Sequence, residues 1–226
     1  MKKLVEKYGF LWRRFLFVFV ALMIYLLGDF PRRNALKETI SLLTIISFIL
    51  MINQFYLTRG FRFIDGKGRM SDIVRVHKLI GYLSVSILLI HPFLVVLPRQ
   101  FEGGVKPITA FWEIISTYNN PAVLLGICGW AAILTMAVTS AYRRKVFKNY
   151  IKWRTFHGVL AIVSLTILGY HVLLLGRHSN LVMKALYLVL MAGGYVTIVR
   201  TYISDIRRGD KWRIRDSKSV EDSSLP

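Results

Sequence analysis

Residues 76–91, VHKLIGYLSVSILLIH, and residues 156–171, FHGVLAIVSLTILGYH, decide how the chain folds. Each is an apolar run carrying two histidines, His77 and His91 in the first, His157 and His171 in the second, fourteen residues apart in both. On an α-helix that offset is nearly four turns, so the two rings project from one face, roughly 21 Å apart along the axis. A bilayer's hydrocarbon core is about 30 Å thick. One histidine of each pair is therefore expected near one membrane surface and its companion near the other. An imidazole in hydrocarbon needs a partner, because burying an unpaired polar group is costly, and ionisable residues inside spans tend to be functional. A packed, hydrogen-bonded ring is the plain explanation for a single histidine. The same offset on two helices points to shared ligation instead. The two rings of one helix are too far apart to hold one ion, so ligands must pair between helices, two at each level. Zinc takes three or four protein ligands, whereas a haem iron needs only two, the porphyrin supplying the rest.

The composition agrees with membrane spans. The 226 residues are 54% hydrophobic with a mean hydropathy of +0.48, too apolar for an ordinary soluble domain. A single cysteine, Cys128, allows neither a disulfide framework nor a zinc ribbon, and no C-x-x-C-H sequence is present. A haem bound here would be b-type. The formal net charge of +19 would suit phosphate backbones, but its distribution argues against nucleic acid. Basic residues gather at helix ends: Lys2 to Arg14, Arg59 to Lys78, Arg143 to Arg154, and Arg207 to Lys218. These clusters fall in alternate connections, the pattern of positive loops kept in the cytoplasm. The lipid bilayer is the expected surrounding, and no nucleic-acid partner is expected.

Taken in order, the chain reads as six spans, at about 13–29, 39–57, 73–97, 121–141, 153–176 and 181–203. The first apolar run follows Arg13 and Arg14 but has no small-residue cleavage site, so it reads as a span rather than a signal peptide. Ser71 and Asp72 are candidate N-caps of the third helix, and Pro92 predicts a kink beside His91. The outer connection, 98–120, contains ITAFWEIISTY, expected to lie along the interface with Trp112 and Tyr118 as aromatic anchors. Gly126 and Gly129 predict close approach of the fourth helix to a neighbour. Residues 1–203 thus form one membrane domain, and 204–226 a polar, mobile cytoplasmic tail. The fold class expected is all-α: an integral membrane six-helix bundle with both termini cytoplasmic, in a prokaryotic cytoplasmic membrane.

The segments VHKLIGYL (76–83) and WRTFHGVL (153–160), with the helices around them, resemble the ferric-reductase-like transmembrane domain of ferric reductases and NADPH oxidases. The haem subunit of the bacterial methionine sulfoxide reductase system is related. The resemblance covers roughly residues 40–203. It implies that His77, His91, His157 and His171 are axial ligands of haem b. The methionine sulfoxide reductase subunit lacks a histidine matching His77, so the full set of four fits a two-haem member better. The resemblance also implies a flavin and nicotinamide domain as electron source, which relatives carry behind the sixth helix. Here that flavin is expected on a separate partner.

With six spans and both termini inside, helices three and five run parallel, so His77 pairs with His157 near the cytoplasm and His91 with His171 near the outside. Two haems are expected between helices three and five. Arg75, Lys78 and Arg154 inside, and Arg99 and Arg177 outside, are candidate partners for haem propionates. Gly81, Gly158 and Gly169 either leave room for a flat ring or serve helix packing. His178, in the short outer turn, reads as a solvent-exposed residue. No aromatic stands midway along the two histidine helices, where Ser84 and Ser164 occur instead. The expected function is electron transfer from a cytoplasmic flavoprotein or flavin reductase, through both haems, to an acceptor on the outer face. A quinol-linked haem subunit feeding an extracytoplasmic reductase is the alternative of the same chemistry. A haem-free transporter or structural membrane protein is the alternative of another class, with the histidines relaying protons or packing.

Overall fold

The computed structural model describes residues 16–31, 33–57 and 70–222. The expected start of the first span at residue 13, Arg32, and the basic connection 58–69 lie outside the described residues. Every described element is a helix: α1 (Leu16–Leu27), α2 (Ala35–Tyr56), α3 (Met70–Gly103), α4 (Pro107–Ile115), α5 (Pro121–Ala141), the single turn α6 (Arg143–Val146), α7 (Tyr150–Leu175) and α8 (Leu181–Asp222). Five of them, α2, α3, α5, α7 and α8, are long and apolar enough to cross a membrane. The described part of α1 is apolar but shorter than the roughly 20 residues a span needs.

Asparagine sets four helix starts. Asn34 accepts from the Lys37 amide at 2.9 Å, Asn120 from Ala122 at 3.0 Å, Asn149 from Ile151 at 2.7 Å and Asn180 from Met183 at 2.9 Å. Each side-chain oxygen satisfies an amide that the first turn leaves unpaired. Pro121, lacking an N–H, follows Asn120 as the first helical residue. Helix α3 is described from Met70, and the side chains of Ser71 and Asp72, expected as its N-caps, lie outside what is described. It runs through Pro92 and Pro98 and ends at Gly103, six residues beyond the expected boundary. Helix α8 likewise continues to Asp222, so the stretch expected as a mobile tail carries on the helix to that residue. Among the described residues Gly104 alone has a positive φ, 65°, turning the chain from α3 toward α4.

The long helices close into a ring. Helix α2 packs between α3 and α8, α7 between α8 and α5, and α5 in turn touches α3. Aromatic residues lock α2 to α8: Phe48 meets Tyr187 edge-on at 5.2 Å, Phe55 meets Tyr195 at 6.3 Å, and the Tyr56 hydroxyl donates to the Leu190 carbonyl at 2.6 Å. Glycines bring α7 close to α8, since a Cβ on Gly158 would strike the Tyr202 hydroxyl and one on Gly169 the Met191 thioether. Helices α3 and α7 are not packed neighbours. They face each other across the ring's interior, and each carries two histidines.

Candidate two-level histidine site

The four histidines meet two by two. His77 on α3 faces His157 on α7, ring centroids 6.4 Å apart and planes at 69°. Fourteen residues further along both helices, His91 and His171 are near enough to interact electrostatically. Among the described residues no three His, Cys, Asp or Glu side chains come together in a metal-binding group. The donor set is therefore two imidazoles per level, which suits a metal whose remaining positions are filled by its own macrocycle. The 6.4 Å separation fits such a group. Two imidazole–metal bonds of about 2.0 Å, placed end to end, set the nitrogens about 4 Å apart and the ring centres, behind them, a little over 6 Å.

Hydrogen bonds at the far side of the rings fix which nitrogen is free. The His171 Nδ1 lies 2.7 Å from the Ala122 carbonyl, which can only accept, so Nδ1 carries the proton and Nε2 keeps its lone pair. The His91 Nδ1 lies 3.1 Å from the Thr44 Oγ1. That hydroxyl donates to the Ile40 carbonyl at 2.8 Å, so its oxygen accepts from His91 and Nε2 is again left for a metal. Ser140 Oγ stands 3.2 Å from the His157 Nδ1. Such back-bonding orients ligating histidines and raises their basicity. The fourth ring differs: the His77 Nδ1 is buried with no hydrogen-bond partner among the described residues.

Helix α5 shapes the outer level. A Cβ on Gly126 would stand 2.7 Å from the His171 Cε1 and 2.9 Å from its Nδ1, so glycine there is what lets the imidazole lie against α5. Gly129 similarly admits Leu168, and the close approach expected from these two glycines is to α7. The other glycine expectation resolves toward packing: Gly158 and Gly169 face α8, not the α3–α7 space. Between the two levels, Trp130 of α5 donates from Nε1 to the Leu89 carbonyl of α3 at 2.9 Å. It falls on α5 between Gly126, against the outer ring, and Ser140, against the inner one. Ser84 and Ser164, the helix midpoints, are buried.

The expected cationic partners sit at the two rims. Arg75 and Lys78 are exposed on the first turns of α3. Arg154 lies over the Tyr202 ring at 5.9 Å, and Tyr202 donates to the Arg154 carbonyl at 3.2 Å. At the opposite rim, Arg99 pairs with Glu113 of α4 at 2.7 Å, and Arg177 donates to the Pro31 carbonyl at 3.2 Å. Neither outer arginine is idle. Helix α4 itself is held to α3 by the stacked Phe93 and Phe111, 4.8 Å apart.

His178 corrects the sequence reading. It is 5% exposed, set between Tyr25 at 4.8 Å and Phe30 at 4.9 Å, with Nε2 3.3 Å from Glu38. Tyr25 also donates to Glu38. Burial holds the His178 pKa below its usual value despite the Glu38 carboxylate, which pulls it up.

At the His77–His157 level, Trp153 lies between Tyr150 and His157, centroids 5.5 and 5.3 Å apart, and the Arg143 guanidinium covers both Tyr150 and Trp153. Neither Tyr150 nor Trp153 is singled out as a site residue by the sequence; their spacing on α7 with His157, at 150, 153 and 157, is the available signal.

Residues 43–168 match the family described as "Ferric reductase like transmembrane component". A protein of Archaeoglobus fulgidus, described only as an uncharacterized protein, is 64% identical over 184 residues, covering 81% of this chain and 100% of its own. No solved structure matches the chain.

Proposed function

The chain belongs to the ferric-reductase-like transmembrane family, and from that premise we propose that it passes single electrons across the membrane through two b-type haems. His77 and His157 hold the inner one, His91 and His171 the outer one. In this reading α1 is also a span, so residues 1–203 form a six-span haem domain with both termini in the cytoplasm. A haem held by these histidines would supply an iron that takes up and releases single electrons.

The chain's own residues do the rest. Helices α3 and α7 present Nε2 lone pairs at two levels, while Ala122, Thr44 and Ser140 hold the opposite nitrogens. Trp130 places an aromatic ring against α3 at Leu89, two residues from His91 on the His77 side. Arg75, Lys78 and Arg154 inside, and Arg99 and Arg177 outside, lie at the rims where propionates would emerge. The donor is a cytoplasmic flavoprotein or flavin reductase drawing on NAD(P)H, and the acceptor lies on the outer face.

The observation that carries this reading is the pair of imidazoles on α3 and α7, His77 and His157, with ring centroids 6.4 Å apart, and a second pair, His91 and His171, within electrostatic reach fourteen residues on. A pyridine hemochromogen assay on the purified chain tests it, with an expected ratio of two haems per polypeptide. A colourless protein, or one whose haem content survives replacement of all four histidines, would rule it out.

A further inference from the structure

Each of three histidines has its Nδ1 tied back to a neighbouring helix. Helix α5 serves both rings of α7, through Ala122 and Ser140, and α2 serves the outer ring of α3 through Thr44. Among the described residues, the inner ring of α3, His77, has a buried Nδ1 without a partner, and on α2 the Gln54 Oε1 is buried without one too. The two are close along the helices. Gln54 Oε1 lies 3.9 Å from where a Cβ on Gly81 would stand, and Gly81 is one turn from His77 on the same face. Because Gly81 has no side chain, nothing from that position stands between the amide and the ring. The Gln54 Nε2 already donates to the Leu50 carbonyl at 3.4 Å, which leaves the oxygen as the end of the amide still to be satisfied.

We propose that Gln54 is the positioning residue of His77, its side-chain oxygen accepting the Nδ1–H when Nε2 ligates the inner haem. The proposal rests on the haem reading above. An amide oxygen only accepts, so it selects the tautomer with the proton on Nδ1 and frees Nε2, as the Ala122 carbonyl does for His171. A hydrogen bond between the two would satisfy two buried atoms that are otherwise each left with the cost of a missing bond. Ligation favours that bond, since metal at Nε2 draws electron density from the ring and makes Nδ1–H a better donor. An acceptor at Nδ1 in turn makes His77 the stronger ligand, and a stronger ligand favours the ferric over the ferrous iron.

The test is a redox titration of the whole haem-loaded chain in membranes, followed in the visible spectrum, with haem content measured in parallel. Hydrogen-bond partners at the far nitrogen of a metal-bound histidine typically contribute ten- to a hundredfold. A tenfold loss of ferric preference is about 59 mV for a one-electron couple. Gln54→Leu is expected to raise one midpoint by at least that amount. Gln54→Glu, a stronger acceptor when ionised, is expected to lower the same midpoint and make it pH-dependent. Thr44→Val is expected to move the other midpoint, which identifies the wave. Opposite shifts from the two Gln54 variants, on the wave that Thr44→Val leaves alone, support the assignment; a purely structural role does not produce them. If Gln54→Leu fails to retain haem, the Gln54→Glu shift alone decides. Two haems with midpoints unmoved, or moved in the same direction by both variants, would overturn this proposal alone. A wild-type chain free of haem would overturn the haem reading and this proposal with it.

Discussion

At the scale of single residues, the site works by dividing the two nitrogens of an imidazole. In His171 and His91 one is bonded to a carbonyl or hydroxyl of a neighbouring helix, which leaves the other free, and the His157 Nδ1 stands beside the Ser140 hydroxyl. Replacing His91 or His171 by alanine is expected to remove the outer haem's absorbance and spare much of the inner, and replacing His77 or His157 to do the reverse; spectra of purified variants check this. Gly126→Ala is expected to press a methyl into the His171 ring, 2.7 Å from its Cε1. Overpacking of this kind costs about 1–3 kcal/mol, so thermal stability and outer-haem content should both fall, while Gly103→Ala, with its nearest neighbour at an ordinary 3.8 Å, leaves both unchanged. The histidines themselves were legible because a fourteen-residue offset survives in the sequence whatever surrounds it. Their Nδ1 partners were not. Thr44 and Ser140 are 47 and 17 residues away from the rings they meet, and the Ala122 partner is a backbone carbonyl that no side chain advertises.

At the scale of elements, length and apolarity located five spans to within a few residues, but the ends depended on chemistry that hydropathy does not register. Four asparagine caps set starts that polarity alone blurs, and α3 gained its last turns by continuing through Pro98. The outer turn between α7 and α8 was misread for a related reason. His178 is covered by residues from α1 and the α1–α2 connection, and sequence adjacency shows none of them. That contact is a clasp: Tyr25, Glu38 and His178 join α1, α2 and the α7–α8 turn, with Arg33 and Arg177 also facing the imidazole. Because burial lowers the His178 pKa in the folded chain, the unfolded chain binds more protons as pH drops through the ordinary histidine range. Stability is therefore full above about pH 6.5 and declines below it. Thermal unfolding followed from pH 7.5 to 5.5 should show this decline, and His178→Gln should flatten it. Trp130 belongs to the same scale, since it bridges α5 and α3 between the histidine levels. Trp130→Leu is expected to slow oxidation of the inner haem by an outer acceptor while both haems remain bound, as stopped-flow absorbance would show.

At the scale of the whole molecule, charge and aromatic rings converge on one end. Arg143, Arg144, Lys145, Lys148, Lys152 and Arg154 surround the short α5–α7 connection. From that connection Tyr150 and Trp153 lead to His157 in two ring-to-ring steps. Tyr150 is 56% exposed, and Arg143 lies over its ring at 5.9 Å, so His157 is connected to a basic surface. A field of that sign concentrates an acidic protein or a reduced flavin and speeds encounter. The same charges would also fix topology and attract anionic lipid without any protein partner. The two roles separate by experiment, because only docking couples charge to the rate at which electrons arrive. Reduction of the haems by a flavin reductase with NADPH is expected to slow steeply between low and physiological salt, where screening shortens from about 30 Å at 0.01 M to about 8 Å. Reversal of Lys145, Lys148 and Lys152 to glutamate should slow it further, by tenfold or more at low salt, within the 10- to 1000-fold range of steered association. Reduction by dithionite, a small reagent with no docking surface to match, should be affected far less. If reductase and dithionite lose rate in equal measure in the reversal variant, the basic rim serves the membrane alone, and the donor enters elsewhere.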